Sequence, residues 1–237
     1  MKLSIVVPVY NEEKTIGEVL RRLDDLRIPG VEKEIIVVDD GSSDKTVFRI
    51  KRSKIYKNIK FIQHSSNQGK GKAVKTGVDK ATGDYIIIQD ADLEYDPKDI
   101  NRLIDPVING RAKVVYGTRL NRMPNLAKDE RTFQFLVHYF GNRFLSLLTS
   151  ILYGQWLTDM ETCYKLFPRK ALNRIKLDSK GFEFEPEITA KLLRNGYRIL
   201  EIPISTNPRG YNEGKKLNTM RDGTIALVSL FKYRILN

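Results

Sequence analysis

The strongest constraint on the fold is a repeated pattern. Short apolar runs stop on polar or acidic residues and are separated by stretches with helical spacing. Leu3–Tyr10 is the first such run, and Asn11–Thr15 then opens a helix with apolar positions at Ile16, Val19, Leu20 and Leu23. Glu34–Asp40 is the second, ending in Asp39 and Asp40, and Gly41–Asp44 turns into the next helix. Ile59–Ile62 is the third, with Asn67–Ala73 opening a further helix. Asp84–Gln89 and Lys113–Arg119 are the fourth and fifth. Strands alternating with helices specify a parallel sheet covered on both faces. Ligands of such sheets bind beyond the carboxyl ends of the strands. Tyr10, Asp39-Asp40, Asp90-Ala91-Asp92 and Arg119 all fall at such ends.

The richest of these ends follows Asp84–Gln89. Asp90 and Asp92 are two residues apart, so on an extended chain they point the same way, and Glu94 continues the row. Three carboxylates there suit a hard cation, Mg2+ or Mn2+, and Mg2+ usually shares its shell with substrate phosphates. A solvated turn after a strand would use the same residues, and an Asp-x-Asp pair is common in a chain that is 30% charged. Gly69-Lys70-Gly71-Lys72 lacks the full spacing of a phosphate loop, and no dinucleotide-binding glycine pattern is present. Its glycines suit close packing, and its lysines help to attract an anion.

At 237 residues and 41% hydrophobic content, the chain fits one large domain with a sizeable core. Its net charge of +12 asks for an anionic partner. Much of the excess lies between Lys45 and Lys80, where Asp79 is the only acid. No helix-turn-helix, zinc-finger or aromatic RNA-binding signature accompanies it, so nucleic acid is not the expected partner. Phosphorylated substrates and an anionic membrane surface remain. The single cysteine, Cys163, excludes an internal disulfide and a cysteine-based metal cluster. The apolar run at the N-terminus is cut by Asn11-Glu12-Glu13, which reads as a first strand rather than a signal peptide and implies a cytoplasmic location.

The texture changes at Arg131. From there to Tyr153 the chain is an aromatic-rich helix with a length close to that of a membrane span. Gln134, His138, Asn142 and Arg143 interrupt it. Arg143 near a bilayer centre would cost about 2.5–3.5 kcal/mol, so no span is expected. An interfacial helix and a core or dimer-contact helix both fit. His138 reads as a packed helix residue rather than a catalyst. Gly181–Glu187 starts a helix through Leu192-Leu193, with its acids suited to the helix N-terminus. Tyr197–Ile204 is a late strand. Asn207–Leu217 is a basic, glycine-bearing loop able to close over a substrate. A last helix near Thr219–Ile235 is apolar along one side.

Together, "IVVPVYNEEKTI", "IIVVDDGSSDKT", "NQGKGKAVKTG", "GDYIIIQDADLEYDP" and "VVYGTR" resemble, in order and spacing, the family-2 glycosyltransferases of GT-A fold. The likeness runs from about residue 3 to the C-terminus. "DMETCYKLF", "GFEFEPEI" and "NPRGYNEGKKL" narrow it to the polyprenyl-phosphate (dolichyl-phosphate) mannose and glucose synthases. The resemblance implies an α/β, Rossmann-like GT-A domain: a mostly parallel central sheet with helices on both faces, plus C-terminal interfacial helices. It implies a nucleotide-sugar-binding half over 1–120. An acceptor-binding half over 121–237 would carry the aromatic helix 131–153 and the basic loop 207–217.

Residue by residue, the resemblance implies that Pro8, Tyr10, Glu12 and Asp39, with Asp90, hold the donor nucleotide. Asp90, Asp92 and Glu94 would hold the divalent metal and donor diphosphate, although many relatives have Gln at the position of Glu94. Arg119 and Arg209, with Lys216, would contact donor and acceptor phosphates, and Arg131 would join the acceptor phosphate site. Asp159 and Glu161 would line the sugar pocket. Asp92, Arg119, Asp159, Arg209 and Lys216 thus form the expected catalytic set. Mannose synthases often read Asp-Pro-Thr-Ser-Gly where this chain reads Asp159-Met160-Glu161-Thr162-Cys163. Mannose, glucose and N-acetylhexosamine therefore stay open. The expected activity is inverting transfer of a hexose from a GDP- or UDP-sugar to a polyprenyl phosphate, by an enzyme peripherally bound to the cytoplasmic membrane face. One alternative is a soluble family-2 transferase acting on a sugar or protein hydroxyl, which needs a general base. The other is a non-catalytic nucleic-acid or membrane-binding module.

Overall fold

The computed structural model describes residues 1–120, 133–207 and 219–235. Its strands are β1 (Lys2–Val9), β2 (Glu32–Asp39), β3 (Ile59–Gln63), β4 (Tyr85–Ile88), β5 (Val114–Thr118), β6 (Lys165–Pro168) and β7 (Ile199–Pro203). Its helices are α1 (Ile16–Asp25), α2 (Thr46–Lys51), α3 (Lys70–Asp79), α4 (Asp99–Ile108), α5 (Phe133–Tyr153), α6 (Phe184–Arg194) and α7 (Thr219–Ile235). The strands form one sheet in the order β3-β2-β1-β4-β6-β5-β7. β6 runs antiparallel between β4 and β5, and the other described strands share one direction. β6 and β7 place the second half of the chain in the same sheet as the first.

Strands covered on both faces need apolar residues at every position. β1 meets this with seven buried residues after Lys2. From β1 to β3 the chain steps one way across the sheet, and from β3 through β4 to β5 it steps the other. Right-handed crossovers then put α1 and α2 on one face and α3 and α4 on the opposite face. Gly77 lets α3 lie flat on the sheet, because a Cβ there would fall 2.4 Å from Val6 Cγ1. The reversal at β1 and β4 is the switch point at which such folds bind ligands.

α5 and α7 form a satellite layer. Leu145 of α5, Met160, and Ala226 and Leu230 of α7 make a small apolar cluster separate from the main core. The other sides of both helices stay open. Phe140, Phe144, Leu147 and Ile151 are exposed along α5, and Ile225, Val228, Phe231 and Ile235 along α7. The aromatic helix is thus packed on one side and bare on the other. No helix among the described residues is long and apolar enough to cross a membrane.

Candidate active site

The carboxyl ends of β1, β2, β4 and β5 and the amino end of β6 meet along one edge of the sheet. The loops after β1 and β2 are laced together there. Asn11 N–H donates to Ser42 Oγ (2.9 Å), Ser43 N–H to Asn11 Oδ1 (2.8 Å), and Glu12 N–H to Thr46 Oγ1 (2.7 Å). Asp40 serves the next loop. It accepts the Gln68 N–H (3.1 Å) and the Gly69 N–H (2.8 Å), and its Oδ1 lies 2.6 Å from His64 Nδ1. At the start of α3, Gly71 N–H and Lys72 N–H donate to the Gly181 and Lys180 carbonyls, each at 3.1 Å. A Cβ on Gly69, which has φ +97°, would sit 2.3 Å from the Lys180 carbonyl oxygen. Gly69-Lys70-Gly71-Lys72 is therefore a packing element with these N–H groups already used, not a phosphate loop.

A cavity of about 640 Å3 opens along this edge and continues between α5 and α7. Pro8, Tyr10 and Glu12 line one side, with Asp40 and Asp90 beside them. Asp92, Glu94 and Arg119 follow, then Glu161 and Glu185. Val137, Phe144 and Leu145 of α5 and Ala226 and Leu227 of α7 form the apolar arm. His138 belongs to the cavity wall as well, where the sequence suggested only a packed helix position. Among the described residues, eight acids (Glu12, Asp40, Asp90, Asp92, Glu94, Glu161, Glu185 and Asp222) face two cations, Lys70 and Arg119. An acid-rich pocket cannot hold a diphosphate without further positive charge.

The Asp90–Glu94 stretch departs from the extended row expected. β4 ends at Ile88, and Leu93 takes φ +66°, a backbone region that non-glycine residues rarely occupy. The chain turns here, with the Glu94 N–H donating to Asp92 Oδ1 (3.0 Å). Asp90 is engaged by Lys70, whose Nζ lies 2.9 Å from Oδ1 and 3.1 Å from Oδ2. No three His, Cys, Asp or Glu side chains among the described residues are gathered closely enough to hold an ion by themselves. The expected triad of Asp90, Asp92 and Glu94 is thus not a ready-made cage. Burial works against the Lys70 charge, yet Asp90 carries its pKa well above the ordinary lysine value, with Cys163 and Glu185 adding to the rise.

Arg119 and Asp159 form the tightest pair. Arg119 donates to the Asp159 carboxylate from its backbone N–H (2.9 Å), Nε (2.7 Å) and Nη2 (2.8 Å). Asp159 is fully buried and its oxygens are turned to Arg119. It is not among the residues that line the cavity, and its contacts hold the Arg119 guanidinium in place. Burial opposes the Arg119 charge, but Asp159 holds the guanidinium well above its ordinary pKa. Glu201 on β7 fixes the segment in turn, accepting the Thr158 N–H (2.8 Å) and the Asp159 N–H (2.9 Å).

Glu161 does face the cavity. Burial pushes its carboxyl up to about 7, against the pull of Lys165. Its Oε1 is buried without a hydrogen-bond partner among the described residues. Behind it, fully buried Lys165 donates to the Met160 carbonyl (2.8 Å), the Thr162 carbonyl and Glu185 Oε2 (2.6 Å). Glu185 Oε1 lies 3.5 Å from Lys70 Nζ. Asp90, Lys70, Glu185 and Lys165 are therefore a chain of alternating charge running from the cavity into the core. Glu185 serves this chain, where the sequence suggested only a favourable acid at a helix start.

Asp39, unlike Asp40, is not part of the cavity wall. It is fully buried, and its Oδ1 has no hydrogen-bond partner among the described residues. Arg131, Arg209 and Lys216 lie outside the described residues. Sequence reasoning missed Lys165 and Glu201 and the pairing of Lys70 with Asp90. The available signal was an unpaired lysine opening an otherwise apolar Lys165–Pro168 run, with acids in Gly181–Glu187 to meet it.

The glucosyl-3-phosphoglycerate synthase of Mycobacterium tuberculosis, solved with Mn2+, uridine diphosphate and phosphoglyceric acid, matches with a TM-score of 0.73. The match covers 100% of this chain and 79% of that one at 20% identity, which places the fold in the GT-A class. The model of glycosyl transferase family 2 matches residues 4–176, and the chain belongs to that family. It is 31% identical over 238 residues to the UDP-N-acetylglucosamine–dolichyl-phosphate N-acetylglucosaminyltransferase of Methanococcus voltae, covering 92% of this chain and 90% of the relative. It is 27% identical over 221 residues to the dolichol-phosphate mannosyltransferase of Pyrococcus furiosus, covering 91% of this chain and 59% of that protein. The protein is a glycosyltransferase.

Proposed function

We propose that the enzyme moves a hexose, with inversion, from a UDP- or GDP-sugar to a polyprenyl phosphate, while bound peripherally at the cytoplasmic face of a membrane. One observation carries this reading. The cavity joins an acid-rich end containing Arg119 to an apolar arm between α5 and α7, whose outer faces are also apolar and exposed. An amphiphile with a phosphate head fits that combination. Relatives named for dolichyl-phosphate transfer support it.

Pro8, Tyr10 and Glu12 take the base and ribose, while buried Asp39 accepts the Ser42 N–H (3.2 Å) and holds the loop after β2. The excess of acids and the open turn at Asp92–Glu94 fit Mg2+ or Mn2+, with Asp92 and Glu94 as protein ligands, Asp90 beside them and places left for phosphate oxygens. Such an ion, when bound, offsets the charge that grows on the leaving diphosphate. Arg119, aimed by Asp159, faces the acceptor phosphate, and Arg131, Arg209 and Lys216 add to the same anion site. A phosphate monoester has a second pKa of about 6, so it is largely a dianion at neutral pH and attacks without a protein base. The chain's residues then have to bring two anions together, which is a task for cations. α5 and α7 lay their bare stripes on the bilayer.

A second reading, transfer to a sugar or protein hydroxyl, draws on Glu161, whose carboxyl near 7 would suit a general base. The test is product mass from UDP- and GDP-sugars offered to a prenyl phosphate, the matching prenyl alcohol and 3-phosphoglycerate, with Mg2+ or Mn2+. Product from the prenyl phosphate supports the first reading. Product from only the hydroxyl acceptors overturns it.

A further inference from the structure

Among the described residues, Asn11 and Leu93 are the two non-glycine residues with positive φ. Asparagine visits that region readily. Leucine does not, because its Cβ crowds the following carbonyl. A strained residue of this kind persists only where its surroundings over-determine it, and such residues gather at functional sites. Leu93, at φ +66°, stands between Asp92 and Glu94.

The chain after Leu93 is pinned from three sides. Within the turn, the Glu94 N–H donates to Asp92 Oδ1 (3.0 Å). From beyond β7, the Asn207 N–H donates to the Glu94 carbonyl (2.9 Å), and Thr206 forms an antiparallel bridge with Tyr95. Next to that bridge, the Ser205 N–H donates to Asp99 Oδ2 (2.9 Å). From the segment leading into β6, the Tyr164 ring packs on buried Tyr95 at 4.8 Å between centroids, and Tyr95 Oη accepts the Cys163 N–H (3.3 Å). The Leu93 side chain itself lies against the edge of the main core. With residues 94 to 99 anchored in this way, the φ of Leu93 decides how the chain arrives from Asp92. An ordinary negative φ would swing the Glu94 N–H off Asp92 Oδ1 and change the angle between the two carboxylates.

We propose that Leu93 is the positioning residue of the metal site: its left-handed backbone holds Asp92 and Glu94 at the mutual angle that a divalent cation takes, before the ion arrives. The proposal rests on the metal reading given above and adds what prepares the site. The strain is local, and the contacts from β7 and from the segment before β6 carry it. Two segments distant in sequence thus keep the turn in one shape, and the ion meets its ligands without first having to order them.

Leu93→Val, Leu93→Asn and Leu93→Gly test this. Valine keeps an apolar side chain but opposes positive φ, whereas asparagine and glycine accept positive φ but give up the apolar packing. Glycine brings no donor atom, so it controls for the asparagine amide. Mn2+ affinity is read with UDP present, from the paramagnetic resonance of the free ion, at a temperature where each variant is folded by circular dichroism. The valine variant should bind Mn2+ about tenfold or more weakly, as if the competent turn were populated about a tenth of the time. The asparagine and glycine variants should stay within about threefold of the wild type, even where they unfold at a lower temperature. The opposite order, with affinity kept by valine and lost by asparagine and glycine, would make Leu93 a packing residue and overturn the proposal. So would one affinity shared by the three variants, whether or not it equals that of the wild type. A wild type that binds no Mn2+ in the presence of UDP overturns the metal reading as well, which separates that failure from failure of the Leu93 role alone.

Discussion

Asp159→Asn should unfold the protein markedly earlier and disarm Arg119, without acting on the donor sugar. The carboxylate is fully buried and receives three N–H groups from Arg119, at 2.7 to 2.9 Å. Removing one partner of a buried ion pair leaves the other charge uncompensated and costs about 3–5 kcal/mol. For a chain of this size each kcal/mol moves the midpoint by about 2–4 °C, so a fall of roughly 6–20 °C is expected. Asparagine keeps one acceptor oxygen, which places it toward the low end, with Asp159→Ala lower still. The assay pairs thermal unfolding by circular dichroism with kcat and KM for donor and acceptor. kcat/KM for the acceptor should collapse while UDP affinity changes little. A variant that melts within about 3 °C of the wild type, under 1.5 kcal/mol, and raises only the donor KM would refute this. Asp159 would then be a sugar contact, as the family resemblance first implied.

Three further outcomes are expected. Asp92→Ala, and EDTA on the wild type, should each abolish transfer with the fold intact by circular dichroism, and full activity in EDTA would remove the metal from the account. Glu161 should make stability fall with pH. Its folded carboxyl sits near 7 against an ordinary 4.5, so between those values the folded state holds a proton that the unfolded chain has lost. At about 1.4 kcal/mol per pH unit the loss is at most about 3.5 kcal/mol, and Glu161→Gln should flatten the slope in urea titrations across that range. Phe140→Asp should reduce sedimentation with anionic liposomes, and wild-type binding should weaken with salt as basic residues near the surface each lose about 1 kcal/mol of attraction. Equal binding of wild type and variant at every salt concentration would leave the exposed α5 stripe without a bilayer role.

Much of the sheet was legible because burial on both faces writes a continuous apolar run. Leu3–Val9 and Tyr85–Ile88 could hardly be anything else. β6 was not legible, since four residues opening on a lysine carry neither alternation nor a long run. The site was legible where chemistry sits at strand ends, as with Asp90, Asp92 and Arg119. It was not legible where the placement depends on which way a side chain is turned. Asp159 and Glu161 are two residues apart, yet one is sealed against Arg119 and the other opens to the cavity. Lys165 illustrates the remainder. A lysine reads as solvent-facing, and only the arrival of Glu185 from twenty residues later makes its full burial affordable.

A phosphate dianion needs no base from the protein, so the acidic limb of the rate should belong to the acceptor. The measurement is kcat/KM against pH with a prenyl phosphate and with the corresponding prenyl phosphonate, whose second pKa is higher. With the phosphate, the limb should fall near pH 6, the approximate second pKa of a phosphate monoester. It should move upward with the phosphonate and stay in place in Glu161→Gln. A limb that ignores the change of acceptor and disappears in Glu161→Gln would assign the proton to the enzyme, and with it the acceptor to a hydroxyl.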